Sequence, residues 1–318
     1  MIFPTMNSYN KNDLAQLAVQ TNFLRDNLEK VLRLADVLRF IADNPKLNYC
    51  LVLKGGTAIN LTVFDMPRLS VDIDLDFHSD CSRDEMLEAR SSVNAELQAY
   101  MASQGYMLST GTKNPHSLDS WVFFYQNAAG NRDNIKIEIN YSMRQHIFAP
   151  EWRTICADFL ATNKVLALAP MELFGSKIKA LIERHTCRDL YDVYNLLHSE
   201  LFQTFDLSML RKLVIFYLAV GGNQMPAKEY DLEPIRQIKF PQIRASLLPM
   251  LKKGNTFDFE IAKTEVISFL QTLLQLSECE IAFVDAFNDK RYQPELLFDD
   301  ETILNNIRNH PMAYWKIR

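Results

Sequence analysis

Asp72, Asp74 and Asp76 alternate with Ile73, Leu75 and Phe77 within the stretch Arg68–Phe77. On a strand of period two, this sets three carboxylates on one face and three apolar side chains on the other. Like charges stacked on one strand face repel unless cations neutralise them. Hard oxygen ligands at this spacing suit Mg²⁺, which is held through one or two carboxylates plus substrate phosphates, with Mn²⁺ as its substitute. Two such ions roughly 3.5–4 Å apart can stabilise both the attacking and the leaving oxygen of a phosphoryl or nucleotidyl displacement. An exposed edge strand with solvated charges would carry the same acids. Alternation with three apolar residues argues against it, because it demands burial on one side.

Three further groups extend this chemistry. Upstream, Lys54-Gly55-Gly56-Thr57 offers a turn at which backbone can approach a triphosphate closely, and a helix opening at Thr57 would aim free N–H groups at it. Ser70, two residues before Asp72, is a phosphate or metal-shell candidate, although serines are common at strand starts. Downstream, Ile135-Lys-Ile-Glu-Ile-Asn140 alternates again. If this strand neighbours the aspartates, Glu138 supplies a third carboxylate to the metals or a base toward the attacking hydroxyl; read alone, an amphipathic edge strand serves equally. The last group spans Lys177, Arg184, Asp189 and Asp192. Lys177 and Arg184 are seven apart and share a helical face, suited to triphosphate as point charge and planar fork. Asp189 and Asp192, three apart on the next helix, would pair with those cations. From spacing alone a surface helix hairpin laced by ion pairs is the better reading.

The elements that must position these residues follow from periodicity. Asp13–Asp43 reads as helix, Tyr49–Leu53 as a short strand, Thr57–Phe64 as helix and Ser70–Phe77 as strand. Asp80–Gln104 reads as a second long helix with Ser82 as its cap and Gly105 as its stop. Strands are expected at Tyr106–Gly111, Trp121–Gln126 and Asn134–Tyr141, with the Trp121–Tyr125 aromatic series as core. From about Val165 the pattern turns helical: Pro170–Arg184, Arg188–His198, Leu207–Val220, Phe257–Leu276, then short helices over Ala282–Arg318. This gives an α+β half over 1–160 and a helical half over 161–318. With no Pro- or Gly-rich linker between them, the halves are expected to pack closely and share a nucleotide cleft.

Composition bounds the function. The 318 residues are 48% hydrophobic and 23% charged, which is the make-up of a folded chain rather than a disordered one. No apolar run reaches the roughly 20 residues of a membrane span, and the start, MIFPTMNSYNKNDLAQ, resembles no signal peptide. The five cysteines form no CxxC pair, which points to free thiols and a reducing, cytoplasmic setting. His78, His116, His146, His185, His198 and His310 form no HxH or HExxH pattern that would support zinc chemistry. The net charge of −5 lowers the expectation of broad nucleic-acid binding. One local basic cluster remains, at Lys177, Lys179, Arg184, His185 and Arg188.

In order, LKGGTAINL, RLSVDIDLDF, IKIEIN, the pattern Lys177-x-x-Ala180-x-x-x-Arg184 followed by RDLYD, and PELLFDD with HPMAYWK resemble the AbiEii/AbiGii toxin family of nucleotidyltransferases, which includes the MenT toxins. The likeness extends over nearly the whole chain. It implies a DNA-polymerase-β-like nucleotidyltransferase core, a mixed sheet flanked by helices, followed by an all-helical domain. It also implies Mg²⁺-dependent chemistry on an NTP by a toxin held in check by a cognate antitoxin; some members add nucleotides to the 3′ end of tRNA. Carried over by motif, Gly55, Gly56, Asp72 and Asp74 belong to the nucleotide and metal site. Lys177 matches the family's nucleotide-contacting lysine and Asp192 its later acidic partner. The family pairs two aspartates, so Asp76 leaves the register open; Asp72 and Asp74 follow Arg68-Leu-Ser70 at the family spacing. Two other readings keep the same residues: nucleotidylation of a protein hydroxyl, and an NTP-binding module without catalysis.

Overall fold

The computed structural model describes residues 9–110, 117–157, 159–160 and 164–318. Gly111 and His116, the N-terminal MIFPTMNS and residues 161–163 beside the expected boundary lie outside the described residues. The chain forms two units. The first comprises the described residues of Met1–Arg144, Glu151–Ala167 and Pro249–Asn255; the second comprises Gln145–Pro150, Leu168–Leu248 and Thr256–Arg318.

The first unit is built on a seven-stranded mixed sheet in the order β3-β4-β5-β2-β1-β7-β6. Its strands are β1 (Leu51–Lys54), β2 (Asp72–Phe77), β3 (Met107–Leu108), β4 (Leu118–Gln126), β5 (Arg132–Asn140), β6 (Glu151–Thr154) and β7 (Lys164–Ala167). The central β2 runs antiparallel to β1 and parallel to β5. Its apolar face is fully committed: Ile73, Leu75 and Phe77 are buried, as are Ile135, Ile137 and Ile139 of β5 and Trp121, Phe123 and Tyr125 of β4. Each such side chain contributes about 1.5–3 kcal/mol of burial, which fixes the register and so decides which residues share the opposite face.

Helices α1 (Lys11–Thr21), α2 (Arg25–Asp43), the short turn α3 (Gly55–Ala58) and α4 (Arg83–Ser103) complete this unit. The single helix expected over Asp13–Asp43 is two, because Asn22 adopts a left-handed conformation (φ 60°) and its carbonyl accepts from Lys253 of the returning segment. The expected α4 forms with both signals in place. Ser82 accepts from the Glu85 amide in a capping box, and Gly105 turns at φ 79° just beyond its end. The strands β6 and β7 were not foreseen; at four residues each they carry too little alternation to register.

Described by itself, the second unit is helical: α5 (Pro170–Arg184), α6 (Cys187–Leu197), α7 (Leu207–Gly221), α8 (Glu233–Arg236), α9 (Phe240–Ser246), α10 (Phe259–Leu273), α11 (Glu278–Asn288), α12 (Glu301–Ile307) and α13 (Pro311–Lys316). Proline opens α5 at its first helical position, as its fixed φ favours. Glu172 in that first turn is wholly buried and accepts from the amides of Ile147 and Phe148 at 2.9 and 3.0 Å and from the Tyr217 hydroxyl. All five cysteines are free. Among the described residues, no single helix is long and apolar enough to cross a membrane.

Candidate active site

The carboxylates of β2 divide by environment. Asp76 is buried and lies 2.5 Å from the Lys54 ammonium, so its charge is already matched. Asp72 and Asp74 are half-buried. In the parallel ladder Asp72 pairs with Lys136 and Asp74 with Glu138, so the two strands do set Glu138 beside the aspartates. Lys136 lies 2.9 Å from Glu138. Burial works against the charge on Lys136. Its bond to Glu138, with the fields of Glu138, Asp72 and Asp74, nonetheless raises its pKa above the ordinary lysine value. The face thus alternates acid and base across strands, which offsets the repulsion that a bare row of aspartates would carry.

The Gly-Gly turn is shaped around these residues. Gly55 sits at φ +71°, and a Cβ there would lie 2.5 Å from Asp74 Oδ2. A Cβ on Gly56 would lie 2.7 Å from Arg68 Nη2 and 3.2 Å from Ser70 Oγ. The glycines therefore let backbone close onto the carboxylate strand, a packing role added to the phosphate approach foreseen from sequence. Thr57 is buried; its hydroxyl donates to the Asp72 carbonyl and lies 2.9 Å from Ser70 Oγ. Thr57 and Ser70 hold the start of β2 against the turn. Arg68 and Lys54 were not singled out from sequence. Arg68 is buried, donates to the Leu69 carbonyl at 2.9 Å, and joins Leu251 of the returning segment through an isolated bridge. Only its place in the RLSVDIDLDF block could have drawn attention to it.

Among the described residues, no three Asp, Glu, His or Cys side chains converge into a ready-made metal cage. Glu138, expected as a third carboxylate, does not join Asp72 and Asp74 in such a group; Mg²⁺ needs only one or two carboxylates and completes its shell with water and substrate phosphate. Asp72 and Asp74, half-buried on one strand face, fit that requirement. Asp76, matched by Lys54, does not offer a free charge.

The remaining candidates lie in the second unit, where α5 and α6 form a hairpin. His185 ends α5 in a left-handed turn, and Thr186 caps α6 by accepting from the Asp189 amide. Lys177 lies 2.8 Å from Asp189 and 3.1 Å from Asp192, and all three are buried. Arg184 reaches Asp189 at 3.1 Å while its own side chain stays 57% exposed. Burial would raise the Asp189 pKa. The charges of Lys177 and Arg184, with bonds from Lys177 and Thr186, outweigh it and hold the carboxyl well below the usual range. The expected pairing of cations with aspartates is present, within a buried network rather than on a surface. Three members of the basic cluster read from sequence are paired: besides Lys177 and Arg184, Lys179 lies 2.7 Å from Glu183.

The profile of the nucleotidyl transferase AbiEii toxin family, of type IV toxin–antitoxin systems, matches residues 38–263, which contain every candidate site residue. The chain belongs to this AbiEii family. It is a nucleotidyltransferase toxin, and membership implies an antitoxin partner and an NTP substrate. Its fold is that of solved nucleotidyltransferase toxins. MenT4, a nucleotidyltransferase toxin from Mycobacterium tuberculosis H37Rv, is similar with a TM-score of 0.63 at 15% identity, over 96% of this chain and 99% of that one. JHP933 from Helicobacter pylori is similar with a TM-score of 0.50 at 17% identity, over 84% of this chain and 99% of that one. By sequence, no curated protein matches significantly.

Two consequences can be measured. Gly55→Ala places a methyl group onto Asp74 Oδ2 at a positive φ. Displacing that carboxylate by about 1 Å is expected to cut nucleotidyl transfer about 100-fold, and transfer within twofold of wild type would show that Asp74 does not need the turn. In the second unit, Asp189 has a depressed folded pKa, so its stabilisation is present above about pH 4 and drains away as pH falls toward the folded value. Urea midpoints should fall more steeply below pH 4 for wild type than for Asp189→Asn. Lys177→Met, which strands two buried carboxylates, should cost about 3–5 kcal/mol near neutral pH.

Proposed function

We propose that this AbiEii-family protein transfers a nucleoside monophosphate from an NTP to the 3′ end of an RNA, a tRNA by the family resemblance, in a Mg²⁺-dependent reaction in the cytoplasm. The observation that carries the reading is the position of Asp74: half-buried, in register with Glu138, and pressed against the Gly55 backbone at the Gly-Gly turn. Asp72 and Asp74 would hold the ion. When bound, it would neutralise the phosphates of the NTP and lower the barrier to displacement.

The chain's own residues account for the rest of the step. The turn at Gly55 and Gly56 brings backbone close to the triphosphate, with Ser70 beside it. Glu138 takes the proton of the attacking hydroxyl, and Lys136 at 2.9 Å orients its carboxylate. The hydroxyl oxygen bonds to the α-phosphorus, the bond from that phosphorus to the bridging oxygen breaks, and pyrophosphate leaves. For the second unit we propose the nucleotide contact that the resemblance assigns to Lys177. Arg184 is the more open cation, braced by Asp189, while Asp189 and Asp192 both hold Lys177.

A protein hydroxyl as acceptor would use the same residues, and the acidic balance of −5 favours that second reading. Incubation with labelled NTPs, total RNA and protein separates the two. Label removed by RNase and retained after protease supports the RNA acceptor, and the opposite result overturns it. Asp74→Ala should lower transfer about 10³-fold or more and abolish growth arrest on induction. Undiminished transfer by that variant would remove Asp74 from the site.

A further inference from the structure

The carboxylate face distinguishes the side from which each reactant arrives. β2 has β1 on one flank and β5, then β4, on the other. β1 leads directly into the Gly-Gly turn, so the triphosphate and its leaving pyrophosphate belong on the β1 flank. The attacking and leaving oxygens stand roughly in line across the phosphorus. The acceptor accordingly approaches over β5 and β4.

That flank carries a specific surface. Sharing the face with Asp72 and Lys136, the register sets Asn134 and Arg132 on β5 and Val122, Phe124 and Gln126 on β4. The Arg132 guanidinium lies over the Phe124 ring, 3.7 Å from its centroid. Arg132 is exposed, while Phe124 is half-buried. Strand spacing and rise put Phe124 Cα about 12 Å from Asp72 Cα, within reach of a nucleotide near the reacting end. A guanidinium laid on a ring presents its outer plane, and RNA-binding proteins stack unpaired bases on such planes.

We propose that Arg132, supported by Phe124, is the stacking step that holds a base near the 3′ end of the RNA acceptor. The proposal rests on the RNA reading above. It is tested by steady-state transfer of labelled NMP, varying RNA and NTP separately, in wild type, Arg132→Ala, Arg132→Lys and Phe124→Ala. Arg132→Ala and Phe124→Ala should raise the KM for RNA about 5- to 100-fold, with the KM for NTP within about twofold. Arg132→Lys keeps the charge but loses the plane, so it should behave like Arg132→Ala. Restoration by lysine would overturn stacking in favour of simple charge. An unchanged KM for RNA, or a rise in the KM for NTP instead, would overturn the acceptor assignment while leaving the RNA reading intact. A wild-type enzyme that labels no RNA would overturn that reading and this inference together. Arg132 is exposed, so its variants are expected to fold, and thermal melting of each protein separates misfolding from weakened binding.

Discussion

A row of like charges on one strand face is the constraint that organises the first unit. Asp72, Asp74 and Asp76 sit two residues apart on β2, and without counter-charge their mutual repulsion would oppose pairing of the central strand. The sheet answers with cations from both flanks, Lys54 of β1 on Asp76 and Lys136 of β5 within the field of Asp72 and Asp74. The compensation is uneven. Asp76 is buried and matched by a direct ion pair, whereas Asp72 and Asp74 stay half-buried and Lys136 bonds to Glu138 rather than to either of them. A divalent cation bound on this face would relieve repulsion between like charges on the strand.

The second unit solves the opposite problem. There the charge in the interior is a lysine, and Asp189 and Asp192 surround it so that desolvation of each group is offset by the others. Asp189 also closes the α5–α6 turn, receiving the Thr186 hydroxyl at 2.7 Å and fixing Arg184 at its rim. One carboxylate thus ties a helix cap, a buried cation and an exposed cation into one network. Conservative exchange at such a point would not be conservative, because Asn can accept from Thr186 but cannot balance the lysine.

Much of this was legible in the sequence, for reasons of period. Alternation over Ser70–Phe77 and Ile135–Asn140 foretold two half-buried strands, and the structure places them side by side in the register that joins Asp74 to Glu138. Pro170 and the Ser82–Glu85 pair marked helix starts because their signals are local. What stayed hidden depends on long-range closure. The break at Asn22 involves the carbonyl that meets Lys253, more than two hundred residues away, and apolar spacing continues across it undisturbed. The partnership of Gly56 with Arg68, and of Lys54 with Asp76, cannot be seen without the β1–β2 register. The Trp121–Tyr125 series illustrates the limit. Its buried members follow the expected core, but Phe124 points to the other face, and only strand pairing brings Arg132 above it.

These facts give the sheet a direction. A fold that merely bound a nucleotide would need the turn and a charge to balance phosphate. This one carries, on the far flank of the same strand, a carboxylate held by its own lysine and, farther out, a flat cation resting on a ring. Such an arrangement costs something: Lys136 keeps its charge despite partial burial. That cost is not needed to hold the sheet together, since the apolar face of β2, β4 and β5 already fixes the register. The polar flank is therefore free to be shaped by what lies upon it.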